Sequence, residues 1–182
     1  MNFAKTDISD VVLVVSNVFE DARGYFKETW NAAAFADVDI DVDFVQDNQS
    51  RSVKGTLRGL HYQIEQPQGK LIRVLVGEIF DVAVDLRKTS NTFGKWVGRI
   101  LSASNHEMIW IPPGFAHGFY VLSETADMFY KCTEFYAPSF ERTIVWDDKD
   151  LAIDWPLVDA GSPILSEKDM HGTPFSQADY FS

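Results

Sequence analysis

Short runs of β-branched and aromatic residues, each closed by turn residues and none separated from the next by a long helical pattern, leave this chain few folds to choose from. Val11–Val15, Lys70–Val76, Ile79–Leu86, Trp96–Leu101 and Met128–Phe135 have the length and composition of strands. Gly77-Glu78 makes a tight turn between the second and third of these. Beyond it Phe80, Val82, Val84 and Leu86 alternate with Asp81, Ala83 and Asp85, the period of two that a strand requires. Turn residues recur at Asn91-Thr92-Phe93-Gly94, Ser104-Asn105 and Pro112-Pro113-Gly114. The pattern predicts an all-β barrel or sandwich of jelly-roll type.

Helix is confined to the periphery. Asn31 ahead of Ala32-Ala33-Ala34-Phe35 reads as an N-capped turn or two, and Ser166-Glu167-Lys168-Asp169 reads as a capping-box start. A length of 182 residues suits one folded unit, and 46% hydrophobic residues supply its core without disulfides or metals. We expect a single domain over 1–182, with an N-terminal arm over 1–50, a barrel over about 51–146 and a wrapping tail over 147–182, where Asp, Pro and Ser become frequent.

Charge and cysteine usage exclude several classes of function. A net charge of −11 repels nucleic acid and anionic membranes, so neither is an expected partner. Locally the sign reverses. Arg51, Lys54, Arg58, Lys70 and Arg73 stand close in sequence, placed either to hold a small anion or to guard a strand edge. Cys132 is the only cysteine, which rules out an internal disulfide and fits a reducing compartment. Val11–Val15 is too short for a signal-peptide core or a membrane span, so a cytoplasmic location is expected.

The stretch Leu57-Arg58-Gly59-Leu60-His61-Tyr62-Gln63 sets a histidine inside an apolar strand. A lone strand histidine is ordinarily a hydrogen-bonded core residue, so His61 needs context. That context is Pro112-x-Gly114-x-x-His117, which matches the second signature of cupin barrels: a tight turn, then a strand aiming its histidine inward. Metal-binding cupins supply a His-x-His pair and a glutamate from their first signature, because a divalent ion needs three or four converging ligands. Here the corresponding place reads His61-Tyr62-Gln63. One histidine is missing, and no metal is expected.

Read together, Arg23–Trp30 (RGYFKETW), Phe44–Gln63, Gln68–Gly98, Trp110–Phe119 (WIPPGFAHGF) and Trp155–Asp169 resemble the dTDP-4-dehydrorhamnose 3,5-epimerases over about residues 10–170. The resemblance implies a cupin-type jelly roll that inverts C3 and C5 of dTDP-4-dehydro-6-deoxy-D-glucose, without a cofactor, on the route to dTDP-L-rhamnose and cell-surface polysaccharide. Both carbons flank the C4 ketone, so removing either proton leaves an enolate on the same oxygen. Such chemistry needs a base of near-neutral pKa on one face, a proton donor on the other, and a donor or cation at the oxyanion. Relatives that invert only C3 or only C5, or isomerise another dTDP-4-keto-6-deoxy sugar, would share fold and base.

Carried over by position, the resemblance makes His61 the base with Asp169 as its partner, Tyr130 the proton donor, and Lys70 the group near the C4 oxygen. It puts Arg23 and Arg58 on the pyrophosphate, where guanidinium forks match phosphate oxygens. Glu28, Gln46, Asp47 and Asn48 would bind the thymine and its surroundings, with Phe26 and Tyr136 stacking on it. His117, Glu141 and Lys168 would complete the ligand contacts. The resemblance also implies a homodimer in which Arg23–Glu28 serves the partner's site.

One difficulty precedes any structure. Strict alternation puts Leu57, Gly59, His61 and Gln63 on one face and Arg58, Leu60 and Tyr62 on the other, parting Arg58 from His61. A bulge at Gly59 would reunite them, and glycine inside a strand often marks one.

Overall fold

The computed structural model describes residues 1–158 and 161–182; Asp159 and Ala160, within the Trp155–Asp169 string, lie outside the described residues. In chain order the strands are β1 (Asn2–Lys5), β2 (Val12–Val15), β3 (Val18–Asp21), β4 (Gly24–Lys27), β5 (Gln46–Val53), β6 (Leu57–Gln63) and β7 (Lys70–Val76). They continue as β8 (Glu78–Asp85), β9 (Trp96–Ser102), β10 (Glu107–Ile111), β11 (Phe115–Val121), β12 (Thr125–Cys132) and β13 (Glu141–Thr143). Two short helices, α1 (Ala32–Ala36) and α2 (Glu167–Met170), lie outside the sheets. Among the described residues no helix is long and apolar enough to cross a membrane.

One sheet runs β1-β2-β10-β7-β12-β5, the other β13-β6-β11-β8-β9, and β3 with β4 forms a separate hairpin. The strand pairs are antiparallel, as an all-β jelly roll requires. Between the sheets lies the main core. Ile72, Val74, Ile109, Ile111, Ala126 and Met128 from the first meet Ile79, Ala83, Val97, Leu101, Phe115, Phe119 and Val121 from the second.

Alternation sends the intervening residues to the two outer faces, and both faces are covered. Leu71, Met108 and Trp110 point outward from the first sheet against α1 and its flanks, where Phe35 is fully buried. Asn31 caps α1 as expected, its Oδ1 accepting from the Ala34 N–H at 3.2 Å. Burial of one such aromatic is worth about 1.5–3 kcal/mol. On the second sheet Leu57, Leu60, Tyr62, Val82, Val84, Ala116 and Tyr120 face Ile144, Leu151, Trp155 and the rest of the C-terminal tail. The apolar alternation of β8 therefore packs under the tail, while Asp81 and Asp85 look the other way and are still fully buried.

Two boundaries differ from the sequence reading by more than one residue. The segment expected as an arm contributes β1 and β2 to the six-stranded sheet, because β2 pairs with β10 and carries β1 with it. The strand expected over Met128–Phe135 begins at Thr125 and ends at Cys132. Its polar start, Thr125-Ala126-Asp127, lacks a strand's composition but pairs with Val53, Ser52 and Arg51, and Arg51 clamps Asp127 at 2.6 and 2.8 Å. The Gly77 turn is as expected: φ is +79° there, and a Cβ would lie 2.1 Å from the Thr125 carbonyl oxygen.

Candidate active site

β5 is where the barrel interior turns polar. Its exposed residues are Asp47, Gln49, Arg51 and Val53, so Gln46, Asn48, Ser50 and Ser52 face inward, a row no apolar core would accept. Gln46, Asn48 and Ser50 give one wall of a cavity of about 330 Å³, completed by Arg58 and His61 on β6, Lys70 on β7, His117 and Phe119 on β11, and Met128 and Tyr130 on β12. Gln68, Tyr136, Glu141 and Lys168 rim it. The volume suits a small organic ligand.

Arg58 and His61 reach this cavity together because β6 is bulged. His117 pairs with His61 and Phe119 with Arg58, so three residue steps on β6 span two on β11. Gly59 sits in the bulge with φ +122°, and a Cβ there would lie 2.5 Å from the Gly118 Cα and 2.7 Å from the His117 carbonyl oxygen. No other residue fits.

His61 Nε2 lies 2.5 Å from Asp169 Oδ1. Asp169 is 2% exposed and takes two more hydrogen bonds, from the Ser166 hydroxyl at 2.6 Å and the Gly59 N–H at 3.3 Å. Burial alone would raise its pKa, but these donors, His61 first, hold the carboxyl at about 2. Burial also pushes the His61 imidazole below its ordinary 6.5, against the pull of Asp169. Near neutral pH the pair is thus a carboxylate and a neutral imidazole. With Nε2–H donated to the carboxylate, Nδ1 keeps a free lone pair and can take a proton.

Tyr130 lines the same cavity, and burial raises its phenol above the ordinary value, so it stays protonated and can donate. Burial lowers the Lys70 ammonium, against Cys132 and the carboxylates of Glu141 and Asp81. A second histidine-carboxylate pair stands nearby: His117 Nε2 lies 2.8 Å from Oδ2 of Asp81, which is fully buried. Arg58 Nε donates to the Ser52 hydroxyl at 3.1 Å, which fixes the stem of the guanidinium and leaves its outer nitrogens for a ligand.

At the rim Glu141 accepts from Lys168 at 2.8 Å and from the Tyr136 hydroxyl at 3.0 Å. Burial would raise the Glu141 carboxyl, yet these partners hold it below its ordinary range. Gln46 accepts from the Tyr136 N–H at 2.9 Å and donates to Asn48 at 3.0 Å, tying the rim to β5.

Of the residues expected at a site, the cavity therefore gathers His61, Tyr130, Lys70, Arg58, Gln46, Asn48, His117, Tyr136, Glu141 and Lys168, with Asp169 behind His61. Asp47 is not among them. Alternation turns it to the outer face of β5, where it pairs with Lys131 at 2.7 Å. Arg23 and Phe26 lie on the β3–β4 hairpin, in a separate depression with Phe19 and Tyr25, and Glu28 hydrogen-bonds Asn31. Within one chain these three do not reach His61's cavity. Sequence reasoning missed Ser50, Gln68, Phe119, Met128 and Asp81. The signal for three was period two alone, since Ser50 follows Asn48, Phe119 follows His117 and Met128 precedes Tyr130 by two. Among the described residues no three His, Cys, Asp or Glu side chains gather where a metal ion could be held.

Residues 5–177 match the family described as dTDP-4-dehydrorhamnose 3,5-epimerase. The dTDP-4-dehydrorhamnose 3,5-epimerase of Pseudomonas aeruginosa is 58% identical over 182 residues, covering 100% of this chain and 99% of that protein. Its counterpart from Shigella flexneri is 55% identical over 183 residues, covering 100% and 99%. Among solved structures, the dTDP-6-deoxy-D-glucose-3,5-epimerase of Legionella pneumophila, in complex with dTDP-4-keto-L-rhamnose, superposes with a TM-score of 0.94 at 50% identity, covering 98% of this chain and 94% of that one.

Proposed function

From the premise that this chain belongs to the dTDP-4-dehydrorhamnose 3,5-epimerase family, we propose that His61, Asp169, Tyr130 and Lys70 carry out its reaction. The protein is an isomerase of the cupin-type jelly-roll class: it inverts C3 and C5 of dTDP-4-dehydro-6-deoxy-D-glucose to give dTDP-4-dehydro-L-rhamnose, in dTDP-L-rhamnose biosynthesis.

In this reading neutral His61 removes the proton next to the ketone, and Asp169 stabilises the imidazolium that forms. General-base catalysis of this kind contributes about 10²–10⁴-fold. The electron pair moves onto the C4 oxygen, beside which the Lys70 ammonium supplies positive charge, and Tyr130 returns a proton to the opposite face of the carbon. The phenoxide is then reprotonated from solvent and the imidazolium loses its proton. One oxyanion position serves both carbons, so one cavity accommodates both inversions. The observation that carries the reading is that His61, backed by Asp169, and Tyr130 line a single cavity.

The nucleotide belongs with Arg58, the wall residues Gln46, Asn48 and His117, and the rim residues Tyr136, Glu141 and Lys168. Arg23, Phe26 and Glu28 act in a homodimer, the β3–β4 hairpin of one protomer reaching the cavity of the other. Supporting this, Phe19, Tyr25 and Phe26 on the hairpin are 64%, 58% and 70% exposed, an apolar surface that a partner would cover. The cytoplasm, a reducing compartment, suits the buried free thiol of Cys132.

The test is a proton NMR time course with dTDP-4-dehydro-6-deoxy-D-glucose in deuterium oxide. Deuterium is expected at both C3 and C5 of an L-configured product. Label at one carbon alone would make the enzyme a monoepimerase.

A further inference from the structure

We propose that Ser166 is a positioning residue of the base: its hydroxyl, at the N-cap of α2, donates to Asp169 and thereby fixes the carboxylate that orients His61. In the familiar capping box the serine oxygen accepts from the third helical N–H, and the side chain three residues on reaches back to the serine's own N–H. Here only the first half holds. Ser166 Oγ accepts from the Asp169 N–H at 3.3 Å, while the Asp169 carboxylate turns away from the helix to β6.

The serine hydroxyl has a single proton, and Asp169 Oδ2 receives it at 2.6 Å. The other oxygen, Oδ1, takes His61 Nε2 and the Gly59 N–H. Each carboxylate oxygen thus has its own donor, and rotation about the carboxyl torsion would break both sets at once. Without the hydroxyl, Oδ2 of a carboxylate that is 2% exposed loses its donor, and besides His61 itself only the Gly59 N–H, on the other oxygen, still holds the carboxylate. A short motif that punctuates a helix in most chains is used here to aim a base. The Ser166 N-cap conformation, φ −76° and ψ 162°, places the hydroxyl on the carboxylate side of the first turn.

The proposal rests on His61 being the base, so the experiment separates the two. Ser166→Ala removes both cap and proton. Ser166→Gly, a tolerated N-cap residue, keeps most of the helix stability but has no proton to give, and Ser166→Thr keeps both functions. For each, kcat, KM, the pH profile of kcat/KM and the melting temperature are measured, with His61→Asn alongside. Ser166→Ala and Ser166→Gly are expected to lose about tenfold in kcat, equal to about 1.4 kcal/mol of barrier, with KM little changed. Their acidic limb moves to higher pH, because a carboxylate short of one donor draws imidazolium more strongly. Ser166→Thr restores both. Ser166→Gly with wild-type kcat and pH profile, whatever the stability of Ser166→Ala, would reduce the hydroxyl to a helix cap and overturn the proposal. Solvent exchange persisting in His61→Asn would remove the base itself, independently of how the Ser166 variants behave.

Discussion

Arg58 and His61 stand three residues apart on β6 and line the same cavity, an arrangement that a regular strand forbids. The bulge that brings them together depends on the close approach of Gly59 to Gly118, backbone against backbone. The proposed cation for the diphosphate and the proposed base for the sugar are therefore set by one local irregularity.

Gly59→Ala tests that dependence. A Cβ at 2.5 Å from the Gly118 Cα must push two core strands apart, and φ +122° is strained for any L side chain. We expect a loss of about 2–4 kcal/mol in unfolding free energy by urea titration, together with loss of activity in whatever remains folded.

Tyr130→Phe separates proton removal from inversion. His61 can still exchange its proton with solvent and return it to the face it came from, so the substrate should take up deuterium while keeping its configuration. His61→Asn should abolish both, with kcat down by about 10²–10⁴-fold. NMR in deuterium oxide reads exchange and configuration in one experiment.

The acidic limb of kcat/KM should fall below pH 6.5. Burial lowers the His61 pKa, so the imidazole remains neutral and basic until the pH drops beneath its ordinary value. An acidic limb centred above 6.5 would mean that the pull of Asp169, rather than burial, governs the free enzyme.

Two buried carboxylates contribute to acid stability. Asp169 is held at about 2, and so is Asp85, whose burial is outweighed by hydrogen bonds from Arg87, Ser90 and Thr92. Both folded values lie below the ordinary 3.8, so their contribution is complete above about pH 4 and is lost as pH falls towards 2. Each shift is worth about 2 kcal/mol. Asp85→Asn, remote from His61's cavity, should flatten the pH dependence of melting temperature in this window and leave kcat near wild type.

Mixing two inactive variants tests the dimer. If Arg23 serves the partner's cavity, co-refolding Arg23→Ala with His61→Asn yields hybrids with one complete site, and activity returns. If Arg23 acts within its own chain, no hybrid has a complete site.

The strands were legible in the sequence wherever alternation carried chemistry, as on β8, and obscure where a polar run such as Thr125-Ala126-Asp127 drew its strand character from a partner. Period two also explains why Asp47, which neighbours two inward residues, points out of the cavity. The His61–Asp169 contact spans 108 residues. No local pattern encodes it, and only the resemblance brought the two together beforehand. Ser166 was visible as a helix cap, but its second bond depends on where β6 passes, which is a property of the assembled barrel.

The tail that carries Asp169 also roofs the outer face of the second sheet, bridging to Thr56 through Ile164 and to Ile144 through Thr173. A chain stopped short of residue 166 would therefore lack the partner of its base and display Leu57, Leu60, Tyr62 and Val82 to water. The proposed base therefore gains its partner only after the tail has been made. An aborted product would be inert and prone to self-association, the kind of species that cellular quality control removes.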